Sequence, residues 1–356
     1  MRIFQVIENL VYGDAISNYC RNIYKLLKEN GYETAIFAVH YDKRLDDEKV
    51  LSIDDLPELI KDDLMIYQMC QKSMINKMIT NWKCKKACIY HNVTPAHFFL
   101  PYDVFQPAFQ KRGLREINKL NKEFDYIWGV SFFNCQDLIS MGYDKNKVAV
   151  SPIIIDFDDF LQEPDEKIRN KYSDEWVNIL FVGRVAPNKK HEDIIRIFTY
   201  YKKYVNQKSR LILIGSFFNA AYQNCLERYV EELDVKDVIF PGHISFKEIL
   251  GFYKTANVFL CMSEHEGFCV PLLEAMLFDI PIIAYDCTAV PETLGESGIL
   301  VQEKNPAQVS FMIDQVINNA ELQREIIEKQ RKRLDDFAFE KVGREFLKQI
   351  EQISLE

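Results

Sequence analysis

Ile3-Phe4-Gln5-Val6-Ile7 is a short apolar run, Gly13-Asp14 breaks it, residues 15 to 29 carry helical spacing up to Asn30-Gly31, and apolar character returns from Glu33 to Val39. A strand, a helix closed by Asn-Gly and a second strand make a βαβ unit. A crossover through a helix makes the two strands parallel. Cys88-Ile89-Tyr90, Tyr126 to Val130 and Val148 to Ile155 read as further strands of the same sheet. Asp156 to Glu175, charged and holding Pro164, has linker composition. A second unit starts at Trp176-Val177-Asn178-Ile179-Leu180-Phe181-Val182-Gly183, with later strands at Leu211 to Gly215, Val238 to Phe240, Val258 to Leu260 and Ile282 to Ala284. Residues 308 to 334 and 338 to 354 read as helices, the last with Phe346, Ile350 and Ile353 on one stripe. The expected class is α/β, with two doubly wound domains, 1–155 and 156–337, and a ligand crevice at the carboxyl ends of both sheets.

The 356 residues suit two domains, and 48% hydrophobic with 27% charged residues describes a soluble globular enzyme. No apolar run is long enough to span a bilayer, and the chain enters its first strand without the pattern of an export signal. The nine cysteines are scattered and form no C-x-x-C pair, so reduced thiols and a cytoplasmic location are expected. The net charge of −9 is uneven: residues 1–155 carry 20 Lys and Arg against 19 Asp and Glu, residues 156–356 carry 24 against 34. Within 65–125, ten basic residues face four acidic ones, which points to an anionic partner. Nucleic acid is excluded as that partner by the acidic whole and the lack of any recognised motif.

Chemistry concentrates in Ser263-Glu264-His265-Glu266-Gly267-Phe268-Cys269-Val270-Pro271-Leu272-Leu273-Glu274-Ala275-Met276. Pro271 suits the first helical position, where its missing N–H costs nothing, so the N–H groups of Cys269 and Val270 can face an anion, with Glu274 in the first helical turn. Gly183-Arg184-Val185-Ala186-Pro187-Asn188-Lys189-Lys190 puts two cations five residues apart at a strand end, a spacing able to grip two phosphates. Phe240-Pro241-Gly242-His243-Ile244-Ser245 follows a short strand, and His91-Asn92-Val93-Thr94-Pro95 follows another.

Glu266 to Met276 resembles the E-x7-E signature of retaining glycosyltransferases of family 4, the glycosyl transferases group 1, with Cys269 where a second Gly is usual. Gly183 to Lys190 resembles the family's G-R-x-x-x-x-K-G element, with Lys190 in place of its Gly. Gly13-Asp14 stands where the family carries two glycines, and Pro291-Glu292 with Gly295 and Gly298 resembles its last core element. The H-N-x-T-P wording, Ser131 to Asn134 and Pro152 to Asp156 resemble a bacterial polysaccharide-assembly subset. The likeness covers most of the chain, with the strong motifs in 183–298. It implies a GT-B fold, two Rossmann-like domains facing a central crevice, with 338–356 crossing back onto the N-terminal, acceptor-side domain.

The resemblance further implies transfer of a sugar from a UDP- or GDP-linked donor to a saccharide or lipid-linked acceptor, with retention and without a metal or other cofactor. It assigns catalytic roles to Glu266, His91, Arg184 and Lys189. Donor binding falls to Gly13, Gly183, Arg184, Lys189, His243, Ile244, Glu266, Gly267, Phe268, Cys269, Val270 and Glu274. Glu274 would hold the ribose, Glu266 and His91 the donor sugar, and backbone at His243 and Ile244 the base. A glycoside hydrolase would also use two carboxylates, but gains nothing from Arg184 and Lys189. A non-catalytic GT-B partner subunit, a sugar-nucleotide epimerase and a glycosyl phosphorylase remain alternatives. Phe109, Leu114, Ile117 and Leu120 interleave with Lys111, Arg112, Arg115, Lys119 and Lys122, so this stretch could lay an apolar stripe on an anionic membrane face.

Overall fold

A computed structural model describes residues 1–45 and 50–355. The chain divides into one unit of 1–97, 105–156 and 336–356, and a second of 98–104 and 157–335. Glu356, the last residue of the expected C-terminal helix segment, lies outside the described residues.

The N-terminal unit contains β1 (Arg2–Leu10), α1 (Ala15–Glu29), β2 (Glu33–Tyr41), β3 (Val50–Ser52), β4 (Leu64–Met69), α2 (Ile75–Met78), β5 (Lys85–Tyr90), α3 (Gln106–Lys119), β6 (Tyr126–Gly129), α4 (Phe132–Ser140) and β7 (Val148–Val150). The sheet order is β3-β2-β1-β4-β5-β6-β7, every pairing parallel. All six residues of β4 are buried, as a central parallel strand covered by helices on both faces requires. Strands β3 and β4 were not expected. In β4 the polar groups that obscure the strand are satisfied internally: Tyr67 donates to Asn76 Oδ1 (2.8 Å) and Gln68 to Gln5 Oε1 (2.9 Å). The strand expected over Val148 to Ile155 stops at Val150, since Pro152 has no N–H for a ladder.

The second unit contains α5 (Glu166–Tyr172), β8 (Val177–Val182), α6 (His191–Tyr204), β9 (Ser209–Ile214), α7 (Ala220–Glu232), β10 (Val238–Gly242), α8 (Phe246–Thr255), β11 (Val258–Cys261), α9 (Val270–Leu277), β12 (Ile282–Tyr285), α10 (Val290–Leu294), β13 (Ile299–Val301), α11 (Pro306–Asn318) and α12 (Ala320–Leu334). Its sheet, again parallel throughout, runs β10-β9-β8-β11-β12-β13. The expected helix 308–334 is two helices, because the Asn319 side chain accepts from Glu321 N and Leu322 N and starts a new one. The expected linker 156–175 is structured: Asp165 caps α5, and Gly251 of α8 packs so closely on Ile168 that an added Cβ would stand 3.0 Å from it.

Segment 98–104 departs from the expected 1–155 domain by joining the second unit, where Phe99 packs on Phe218 (4.9 Å) and Tyr102 on Tyr222 (4.8 Å). The last helix, α13 (Phe339–Leu355), belongs to the N-terminal unit. Phe346 meets Trp128 edge-on at 5.4 Å, and Lys85 Nζ donates to the Ile353 carbonyl at 2.6 Å. Gly343 brings this helix against Leu26 of α1.

The membrane stripe expected on α3 is overturned: Ile117 and Leu120 are buried in the N-terminal core, Leu114 packs against it and Phe109 is half-buried, while Lys111, Arg112, Arg115 and Lys119 are exposed. Among the described residues no helix is long and apolar enough to cross a membrane.

At the strand ends of the second unit, a side chain on Gly215 would sit 2.1 Å from the Gly183 carbonyl oxygen. Gly215→Ala is therefore expected to cost about 3 kcal/mol, read as a lowered urea midpoint, with Gly13→Ala, which meets nothing within 4 Å, as the milder control.

Candidate functional site

In a doubly wound sheet the ligand sits outside the carboxyl ends of the strands where the order reverses. In the second unit that point lies between β8 and β11, and the two main motifs leave these two strands. After β8, Gly183 N donates to Ile214 O (2.9 Å) and Gly215 N to Gly242 O (3.1 Å), so three strand ends close together on glycines. Residues 187–189 form one 3-10 turn and Lys190 follows with φ 53°, ψ 50°. That left-handed conformation costs a non-glycine residue about 1–2 kcal/mol. It accounts for the glycine of the resembling element. Lys190 lies within 3.5 Å of both Glu192 and Glu264.

The two loops are tied by backbone and side chain. Glu264 N donates to Asn188 O (2.8 Å), and Asn188 Nδ2 donates to His265 O (2.9 Å). Lys189 Nζ then donates to Glu266 Oε2 at 2.5 Å, and Glu266 N donates to Thr288 Oγ1 at 2.9 Å. Burial pulls the Lys189 ammonium toward neutrality, but the Glu266 carboxylate outweighs it and holds its pKa above the usual lysine value. Glu266 is 6% exposed, and its Oε1 makes no hydrogen bond among the described residues. A buried acceptor left unmet is costly. The same carboxylate has Cys261 and Cys269 beside it, one ligand atom of each lying within 4.8 Å of the others.

Cys269 caps α9 with φ 77°, ψ 61° and no side-chain cap bond; in the first turn Pro271 has no N–H and Leu272 N donates to the Cys269 carbonyl (3.1 Å), so Val270 carries the N–H at the helix start. The helix starts one residue earlier than expected: Val270, not Pro271, takes the first helical position, and Pro271 the second. Thr293 Oγ1 donates to the Phe268 carbonyl and fixes the turn before the helix. Glu274 lies beyond the first turn, further into the helix than expected, because α9 starts at Val270; it is half-buried, and Tyr253 donates to its Oε2 at 2.5 Å. Burial pushes the Glu274 carboxyl up, partly offset by the tyrosine hydroxyl. Arg184 is exposed with its guanidinium 5.4 Å above the Phe218 ring. Gly242 has φ 76°, His243 is exposed and Ile244 half-buried, just ahead of the Ser245–Glu248 capping box of α8.

The two remaining candidates lie in the N-terminal unit. Gly13, φ 76° and exposed, precedes Asp14, whose carboxylate accepts from Ser17 N at the start of α1. His91 follows β5, and a chain of buried amides fixes its tautomer. The Cys20 carbonyl can only accept, so Gln5 donates to it (2.9 Å), Gln68 donates to Gln5 Oε1 (2.9 Å), and Gln68 Oε1 is left to accept from His91 Nε2 (2.7 Å). His91 therefore presents Nδ1 as an acceptor, and burial lowers its pKa to about 3, so it is neutral.

The structure thus brings together Gly183, Lys189 and Glu266 to Val270 around one switch point, and places Gly13 and His91 in the other unit. Sequence reasoning missed Asn188, Thr288 and Tyr253, which hold the loops and the two carboxylates, and the Gln5–Gln68 relay. Asn188 alone lay inside a motif; the others are single polar residues that only the fold brings near the site.

Residues 162–333 match the family model described as glycosyl transferases group 1. The capsular polysaccharide biosynthesis glycosyltransferase CapM of Staphylococcus aureus is 28% identical over 205 residues, 54% of this chain and 52% of that protein. The O-antigen chain mannosyltransferase B of Escherichia coli is 23% identical over 199 residues, 54% of this chain and 51% of that protein. The chain spans about half the length of the curated relatives it matches. The crystal structure of Anabaena HepE in complex with UDP-glucose superimposes with a TM-score of 0.77 at 14% identity, covering 99% of this chain and 100% of that one. The fold is GT-B, two parallel-sheet α/β units.

His91 and the fully buried His191 both have pKa values lowered by burial to about 3, so between there and about 6.5 the unfolded chain binds more protons. Their stabilisation is present above pH 6.5 and lost as pH falls, at about 1.4 kcal/mol per pH unit for each. Urea unfolding at pH 6.5 and pH 5 is expected to show this loss, and His191→Phe to halve it.

Proposed function

We propose that this chain is a retaining glycosyltransferase of family 4. It moves a sugar from a UDP- or GDP-linked donor to a saccharide or lipid-linked acceptor in polysaccharide or glycoconjugate assembly. The observation that carries this reading is the Glu266 carboxylate, buried, tied on one oxygen to Lys189 and, among the described residues, unpartnered on the other. Such an oxygen suits a sugar hydroxyl, whose donated hydrogen bond removes the desolvation cost. Arg184, Lys189 and the N-terminal dipole of α9 stabilise the charge that grows on the departing diphosphate, so no metal is required. The leaving phosphate oxygen takes the acceptor proton on the face it departs from, and Glu266 is not a nucleophile. Glu274, oriented by Tyr253, holds the ribose. His91 offers Nδ1 to a sugar hydroxyl.

The acceptor is bound by the N-terminal unit. A cavity of about 410 Å³ there is lined by Glu8, His40, Lys72, Ser73, Lys77 and Arg112, among others, near the carboxyl ends of β1 and β2. The exposed Lys111, Arg112, Arg115 and Lys119 of α3 hold the protein electrostatically on an anionic, cytoplasmic membrane face.

Removing a preorganised transition-state contact costs about 10²- to 10³-fold in kcat, the loss expected for Arg184→Ala, whereas Glu274→Ala mainly raises donor KM. Steady-state kinetics with a panel of nucleotide sugars checks both; parental constants in both variants would refute the assignment. Proton NMR of the product is expected to show the donor's anomeric configuration, and chelation to leave the rate unchanged. Inversion, or metal-reversible loss of activity, would contradict the mechanism.

A further inference from the structure

Beneath Glu266 lie two thiols that the transfer reaction does not use. Cys261 ends β11 and is fully buried, and Cys269 is 6% exposed at the start of α9. Their sulfurs and a Glu266 carboxylate oxygen all lie within 4.8 Å of one another. The Cys269 backbone is left-handed, φ 77°, which a side chain disfavours and glycine does not. The thiol is therefore held at a backbone position with a local conformational cost and no capping bond to offset it. The second sign of a ligand is Glu266 Oε1, buried and without a hydrogen-bond partner among the described residues.

We propose that Cys261, Cys269 and Glu266 form a binding site for a thiophilic divalent cation of the zinc class, and that its occupation blocks donor binding. Two sulfurs and one carboxylate oxygen suit zinc, with bonds of about 2.3 Å to sulfur and about 2.0–2.2 Å to oxygen. Ligand atoms on such a centre stand roughly 3.5 Å apart, so the present triad needs only a small contraction. Binding forms two S–metal bonds and one O–metal bond, and the two thiol protons leave to solvent. Lys189 is the cation facing the site, and it stays on Oε2. Two thiolates and one carboxylate then balance the divalent ion plus the ammonium, so the buried cluster remains neutral. The metal would take the Glu266 lone pair offered to the donor sugar, a consequence that rests on the function proposed above.

The test uses the chelator-washed full chain titrated with Co²⁺, whose thiolate charge-transfer absorption reports sulfur ligation. One equivalent is expected to saturate the band in the parent, and Zn²⁺ to bleach it. Cys269→Gly, which suits the local backbone, and Cys261→Ala are both expected to lose it while circular dichroism is retained. No band in the parent, or an equal band in both variants, overturns the site. In a second arm, Zn²⁺ at the concentration that bleaches the band is expected to reduce sugar transfer at least tenfold in the parent. Each variant, compared with its own metal-free rate, is expected to lose less than twofold. A variant-sensitive band without inhibition leaves the metal site standing and removes both the blocking role and the reading of Glu266 as the donor ligand.

Discussion

The second unit depends on one buried contact, the ammonium of Lys189 against the carboxylate of Glu266. Removing either member of such a pair leaves an uncompensated charge, at about 3–5 kcal/mol. The contact draws the loop after β8 onto the loop after β11, where Glu264 N donates to Asn188 O and the Asn188 side-chain amide donates to His265 O. Both loops leave the sheet at the point where strand order reverses, so the ion pair, together with these hydrogen bonds, holds the cation, the acceptor oxygen and the start of α9 in one place.

Several turns around this contact adopt backbone that most side chains avoid. Lys190, Cys269 and Thr288 have φ of 53°, 77° and 45°. Each has an evident role in the loops: Lys190 faces Glu192 and Glu264, Cys269 opens the helix, and Thr288 accepts from the Glu266 N–H. Strain of this kind persists only where the surroundings over-determine it. In the N-terminal unit the comparable constraint is the amide relay from Cys20 through Gln5 and Gln68, which sets the tautomer of His91 without any charged group.

The GT-B architecture was legible because its signals are local. The βαβ start, the apolar strands of the second unit and the motif at Glu266 each lie within one short window. β4 was not, because Gln68 and Tyr67 interrupt its apolar run and find their partners only across the sheet. The stripe on α3 was read correctly as amphipathic, but sequence does not say which surface covers it; Ile117 and Leu120 are covered by the chain's own core. At the site, charged residues in motifs were found, whereas Thr288, Tyr253 and Gln5 act at long sequence separation and carry no pattern.

The claim on which the account rests is that Lys189 and Glu266 act as one unit in donor recognition. A double-mutant cycle of Lys189→Met and Glu266→Gln in kcat/KM for the donor tests it most directly. The account predicts strong non-additivity, with the double variant within about threefold of the worse single variant. Losses that simply multiply would mean two independent groups, and would contradict it.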